Sequence, residues 1–457
     1  MKKILLPILC LFRMTTFCQN TETLELLFNW NDETIVSTSA YDNAFNEVWG
    51  LVVNEREFAI IGSTAGTHIF DVTDAQNSLQ VQFIPGAAVG PSIIHRDYHD
   101  RNGFLYAVSD EGNSSLQIID IRNLPEEVIV VYDNNELIRT SHNIFIDENL
   151  DIMYACNVRN VNSSWSSTSL AIFNIENPLN PVHILDYEVP GTISGVHDMW
   201  VKNDTAFLNN GADGLYVVDF SDYESPQILG SLTDYPDKGY NHSGWPTFDM
   251  KSYVLADEDW GYDLKILDIS SFSDINVQST FSSEIHENSI AHNPIVKGNY
   301  VYVASYHDGL QIYNIADPEN PFKVGNFSTY LNDDHDSYRG AWGVYPFLPS
   351  GNILVSDMQY GLYILKETDF ETVNQSELKL NKLLIYPNPS SGFVKIESPP
   401  NEILLKVSIF NLKGEKKYQM QSSEPIKMID LSNLEKGLYL LKGIGEKIAY
   451  NQKIMIK

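Results

Sequence analysis

The sequence predicts an all-β chain: a seven-bladed β-propeller followed by a small immunoglobulin-like β-sandwich. Three observations predict it. A short apolar run recurs seven times, 45 to 54 residues apart, with an Asp or Asn near its end in six of the copies. Three further strand-like runs surround each copy, giving four strands per unit, the arithmetic of a propeller blade. No stretch keeps a helical period, and aromatic residues make up 12% of the 457, which suits pleated surfaces.

The recurrent run is THIFDV (67–72), LQIIDI (116–121), LAIFNI (170–175), LYVVDF (215–220), LKILDI (264–269), LQIYNI (310–315) and LYILK (362–366). Before each lies a second run, such as FAIIGS (58–63) or VYVASY (301–306). After it comes a turn rich in Pro and Asn and a fourth run, as in NPLNPVHILDY (177–187) and NPFKVGNF (320–327). Each unit opens on the strand expected innermost: EVWGLVV, IHRDYHD, SHNIFID, VHDMWVK, NHSGWPT, AHNPIVK and AWGVYPF. The seventh unit stops without a fourth strand. The run Leu24–Trp30 near the N-terminus supplies it, so that strands from both ends close the ring and protect its edges.

The first residues, MKKILLPILCLFRMTTFCQN, pair two lysines with a nine-residue apolar core too short to span a bilayer. A signal peptide over 1–18, cut between Cys18 and Gln19, is expected; acylation of Cys18 is the rival, on a poor lipobox. Only Cys156 then remains, so no intramolecular disulfide forms, and no family signature makes that thiol a nucleophile. No transmembrane segment follows in the mature chain.

The net charge is −30. Residues 382–457 hold 12 Lys, no Arg and 7 acids, hence +5, and the remainder carries −35. Two domains of opposite electrostatics follow. The acidic one excludes nucleic acid and anionic membrane as partners, since both need a positive footprint, and it can attract cations. Residues 367–381 are polar and patternless, a linker. Beyond them, LLIYPNPSSGFVKIES and four further short strands give the rhythm of a sandwich.

The repeat over 19–366 resembles the LVIVD-repeat family. The order EVWG, AIIGSTAGTHIFDVTD, SHNIFID, AHNPIVKGNYVYVASYHDGLQI, GAWGVYPFLPSGNILVSD resembles the choice-of-anchor B group of surface proteins. Residues 382–457 resemble the type A C-terminal sorting domain of the type IX secretion system, through Tyr386, Pro387, Asn388, Pro389, Gly392, Gly437 and Tyr439. These resemblances imply a Bacteroidota-type bacterium and passage through the type IX machinery. They also imply removal of the tail and a final place outside the cell or on the outer-membrane surface. They imply no established reaction.

One position at the start of the units carries Trp49, His95, His142, His197, His242, His292 and Trp342. On innermost strands these would ring the channel. Imidazole donates and accepts, so such a ring can tie blades together; it can equally hold a metal or a ligand. Loops expected on the same face carry Asp110, Glu111, Asp213, Asp257, Glu258, Asp259, Asp308 and Asp357, the aspartates being the metal candidates. Beside imidazoles they would suit a divalent cation, calcium or a transition metal; as turn formers they need no ligand. Trp165, Tyr235, Tyr240, Trp245, Tyr330 and Tyr338 lie on longer loops, where aromatics either grip sugars or proteins or cover their own blade. No GxSxG, HExxH, Walker or EF-hand pattern is present. The expected role is non-catalytic binding or adhesion to an extracellular protein or glycan. The alternative is a metal-dependent hydrolase or lyase on the His/Asp face.

Overall fold

The computed structural model describes residues 23–147, 149–162, 167–190, 195–332, 334–368, 383–397, 404–411, 416–422, 426–445 and 449–457. The expected signal peptide, Trp165 and most of the expected linker lie outside them. The chain divides into two compact units, Met1–Thr368 and Asp369–Lys457. Among the described residues there is no α-helix, and no helix long and apolar enough to cross a membrane.

The first unit holds seven four-stranded antiparallel sheets. Their innermost strands are Phe45–Val53, Arg96–Arg101, Ile144–Asp147, Asp198–Lys202, Asn241–Pro246, Asn293–Lys297 and Ala341–Tyr345. Each touches the next, and the seventh touches the first, so the sheets form a closed ring of blades around a channel. The N-terminal strand Leu24–Trp30 is the outer strand of the seventh blade, paired Leu24 with Glu367 and Trp30 with Leu362. This is the closure the sequence predicts.

The repeat has a local cause. The two middle strands of each blade are buried on both faces, so they read as continuous apolar runs; Arg56–Ser63 is buried except at its first residue. Outer strands such as Ile129–Asn134 are largely exposed and tolerate polar residues. The Asp or Asn ending the third strand makes the turn. Asp71, Asp120, Asn174, Asp219, Asp268 and Asn314 each accept the backbone N–H two residues on, at 2.8–3.1 Å. All seven outer-strand pairings also carry a register shift that twists the edge.

The core lies between blades. Leu116, Ile118, Met153 and Phe173 join the second and third, and Phe207 stacks on Tyr253 between the fourth and fifth at 5.1 Å and 11°. Each fully buried aliphatic or aromatic side chain there contributes about 1.5–3 kcal/mol. Cys156 is a buried free thiol bonded to the His197 carbonyl at 2.9 Å; burial raises its pKa well above the usual thiol value, so it is inert.

The second unit sets a three-stranded sheet and a four-stranded sheet over one core of Val394, Ile396, Val407, Ile409, Leu441 and Ile454. The Tyr386-Pro387-Asn388-Pro389 turn is fastened to the final strand. Asn388 donates to the Lys453 carbonyl at 3.0 Å and accepts the Met455 N–H at 2.9 Å. Gly392 sits at φ 144°, where a Cβ would press on Ser432. Gly437 pairs with Ile456, and the Tyr439 hydroxyl donates to the Glu435 carbonyl at 2.9 Å.

Candidate functional site

Each innermost strand enters the channel from a turn and then alternates faces, so residues two apart line the same wall. Three tiers result.

The first tier is a ring of six aromatic side chains. Centroid separations run His95–His142 4.9 Å, His142–His197 4.1 Å, His197–His242 4.3 Å, His242–His292 4.4 Å, His292–Trp342 4.4 Å and Trp342–His95 5.0 Å. The structure therefore brings together six of the seven residues of the sequence series. Trp49 is not among them. It lies three residues further along its strand, where its indole N–H donates to Asp100 at 2.8 Å and its ring packs on His99 and Tyr345. The first blade meets the ring region with Asn46, whose amide donates to the Ile94 carbonyl at 3.1 Å.

Hydrogen bonds run around the ring. His95 Nδ1 bonds Glu111 at 2.6 Å, His142 Nδ1 bonds Asp110 at 2.9 Å, and His292 Nδ1 donates to the Trp342 carbonyl at 2.6 Å. His142 Nε2 lies 3.0 Å from His197 Nε2, and His197 Nδ1 lies 2.9 Å from the Tyr240 hydroxyl. Burial opposes charge on His142, but the Asp110 carboxylate outweighs it and its pKa is raised. Burial, then the neighbouring imidazoles, hold His197 and His242 well below the usual histidine value; burial pushes His292 down to about 3.

Of the six aspartates singled out, Asp110 alone meets the ring. Asp257 is fully buried and ion-paired with Lys265 at 2.7 Å, while accepting the Tyr235 hydroxyl at 2.7 Å. Asp259 accepts the Tyr240 backbone N–H, and Asp308 pairs with His335 at 2.8 Å. Asp357 accepts Thr329, Gln359 and Tyr360. Asp213 sits in a turn closed by its own N–H on the Asn210 carbonyl. These five hold loops and turns together, which is the other half of the expectation for Asp in such positions. The carboxylates that do reach the ring, besides Asp110, are Glu111 and Glu258. Both belong to the loop acids that the sequence places on this face, each one residue past an aspartate in the loop after the second strand. Of the loop aromatics, Tyr235 and Tyr330 are buried in their blades, and Tyr240 backs His197.

The second tier is polar: Glu47, Asp97, Asn143, Asp198, Ser243 and Asn293 line a narrow channel of about 70 Å³. The seventh blade supplies Gly343, where a Cβ would overlap the Glu47 carboxylate. Burial, reinforced by Asp97, pushes Glu47 up to about 8; burial also pushes Asp97 to about 7 and Asp198 to about 6.

The third tier is an aromatic bowl at the other end of the channel, about 410 Å³, lined by Trp49, Phe145, Trp200, Trp245, Tyr345 and Phe347 with Lys202 and Asn149. Sequence reading missed it except for Trp49 and Trp245. The signal was present: Phe145, Trp200, Trp245 and Tyr345 each stand three residues after a ring member.

The fold and its tiers define an all-β propeller with a separate sandwich domain. Residues 384–457 match the family model of the secretion system C-terminal sorting domain, and residues 195–234 and 290–329 match the LVIVD repeat. The chain thus carries LVIVD repeats in its propeller and a type IX sorting domain at its C-terminal end, the mark of a secreted or cell-surface protein that meets the type IX machinery. No curated protein matches it. Similar solved structures include the RRP9 WD40 repeats (9% identity, 76% of this chain and 98% of that one, TM-score 0.49). The computationally designed Ika8 protein is another (10% identity, 92% and 99%, TM-score 0.42).

Proposed function

We propose that the propeller is a non-catalytic binding or adhesion module for an extracellular protein or glycan, and that the aromatic bowl is its contact site. The observation that carries this reading is the bowl itself. Its volume of about 410 Å³ falls among ordinary ligand pockets, and six aromatic side chains line it beside a lysine and an amide. Such faces bury much area at small entropy cost and stack on sugar rings or peptide side chains. Part of the imidazole ring supports the reading from the other side: His142 bonds Asp110 of the blade before it and His292 bonds the Trp342 carbonyl of the blade after it, tying blade to blade. Export completes it, with 1–18 removed as a signal peptide and 382–457 removed after passage, beyond the linker 367–381.

A metal-dependent hydrolase or lyase at the ring face is the second reading. What favours it is that two His/His/carboxylate triads, His95-Asp110-His142 and His197-His242-Glu258, each bring three ligand atoms within 4.8 Å.

The test is a glycan array and an extracellular-matrix protein panel probed with the full chain and with Phe347→Ala, which removes the exposed aromatic ring of the bowl. The expected result is at least a tenfold weaker signal at unchanged melting temperature. Equal binding by the variant removes the bowl from the account.

A further inference from the structure

The two triads differ in what their side chains have left to give. In the first, His95 and His142 each face their own carboxylate at hydrogen-bonding distance, Glu111 at 2.6 Å and Asp110 at 2.9 Å. In the second, His242 Nε2 stands 3.6 Å from Glu258 Oε2, too far for a hydrogen bond. Donor atoms bound tetrahedrally to zinc at 2.0–2.1 Å are about 3.3 Å apart, close to that spacing. His242 is 3% exposed; no side chain hydrogen-bonds its Nδ1, and the group beside the ring is the His292 backbone.

Supporting contacts are in place around the same three residues. His197 uses Nδ1 on the Tyr240 hydroxyl, which leaves Nε2 on the ring side. The Tyr306 hydroxyl donates to Glu258 Oε1, which leaves Oε2 toward His242. Outer partners of this kind fix the orientation of metal ligands and their basicity.

We infer that His197, His242 and Glu258 form a site for one divalent transition ion of the zinc class, joining the fourth and fifth blades. Two imidazoles and one carboxylate suit zinc and its neighbours, whereas calcium and magnesium take all-oxygen shells. Three protein ligands leave a coordination position for water or another donor. His142 Nε2 beside His197 Nε2 is the group the ion must displace.

The experiment uses the full chain, stripped by chelator and dialysed. Zinc is titrated by calorimetry, and cobalt(II) is followed by its visible absorption. The expected result is one equivalent of zinc, tetrahedral cobalt bands, and no competition from millimolar calcium. Glu258→Gln keeps the volume and an acceptor for Tyr306; it is expected to weaken zinc at least tenfold, while Asp110→Asn in the other triad changes it less than threefold. If Glu258→Gln fails to fold, His242→Gln decides by the same readout. Absence of stoichiometric zinc binding overturns the inference, as does loss on Asp110→Asn with Glu258→Gln unaffected, or displacement of zinc by calcium. The outcome is independent of whether the bowl binds a ligand.

Discussion

His142 Nε2 and His197 Nε2 lie 3.0 Å apart, a hydrogen bond between imidazoles of adjacent blades. One Nε2 must carry the hydrogen and the other must be bare, so one ring donates and the other accepts. The raised pKa of His142 and the depressed pKa of His197 assign the roles. His142, the ring that takes a second proton more readily, then donates to Asp110 and to His197, and His197 gives its own Nδ1–H to Tyr240. One proton order thus runs Asp110–His142–His197–Tyr240 across three blades.

This chain predicts non-additive stability. His142→Ala leaves Asp110 partly buried without its partner and is expected to cost about 3 kcal/mol. Adding Asp110→Asn removes the stranded charge, so the double variant is expected to be no less stable than His142→Ala alone. Urea unfolding of the cycle checks it. Strictly additive losses would show that the two residues are not coupled.

The polar tier predicts a pH dependence. Glu47, at about 8, and Asp97, at about 7, are raised above their unfolded values, so the native state keeps protons that the unfolded chain has released. Their contribution is complete below the unfolded pKa and is lost as pH rises through 7 and 8. The depressed ring histidines act oppositely, but their contribution is complete above the unfolded value near 6.5. Stability is therefore expected to fall between pH 6.5 and 8.5, by up to about 1.4 kcal/mol per pH unit for each retained proton. Glu47→Gln should flatten that limb. A melting temperature constant over the window would rule the assignment out.

Much of this was legible in the residues themselves. The run ending in Asp or Asn announces the blade because its side chain closes the turn after the third strand, a local hydrogen bond that sequence carries directly. Leu24–Trp30 was legible as the closing strand because the seventh unit lacks a fourth. The ring was legible in six positions and misplaced at Trp49, since a one-place alignment of unit starts ignores where each strand begins: His242 and Trp342 are the second residues of their strands and His95 precedes its own, whereas Trp49 stands in the middle of Phe45–Val53, three residues past Asn46. The acids divide: Asp110, Glu111 and Glu258 reach the ring, and the others hold turns and loops. Asp257 and Asp308 look like rim ligands in sequence, but their partners, Lys265 and His335, come from other parts of the blade. The bowl was readable only by following the two-residue period from the polar tier into each strand: Glu47 to Trp49, Asn143 to Phe145, Asp198 to Trp200, Ser243 to Trp245.

Closure by the N-terminal strand makes its own prediction. Trp30 packs on Phe45 at 5.3 Å, His68 at 4.9 Å and Phe70 at 4.7 Å, so a strand of the seventh blade also anchors the first. Trp30→Ala is expected to cost about 2–4 kcal/mol, read from the urea midpoint. Deleting residues 24–30 bares the edge of Gly361–Glu367, and the product should self-associate on size exclusion. A monomeric deletion variant of unchanged stability would mean the ring closes without that strand.

The sorting domain predicts a separable effect. Asn388 makes two bonds to the last strand, one to the Lys453 carbonyl and one from the Met455 N–H. Each is a modest contribution of about 1 kcal/mol, but together they lock the Tyr386–Pro389 turn to the C-terminal strand. Secretion machinery that reads a surface made by both segments needs that lock. Asn388→Ala should therefore leave the propeller's melting transition in place, lower that of the tail, and hold the protein in the periplasm. Cell fractionation with immunoblotting gives the readout. Export of the variant at the normal rate would mean the machinery reads the terminal strand alone, and the turn serves only the fold of the tail.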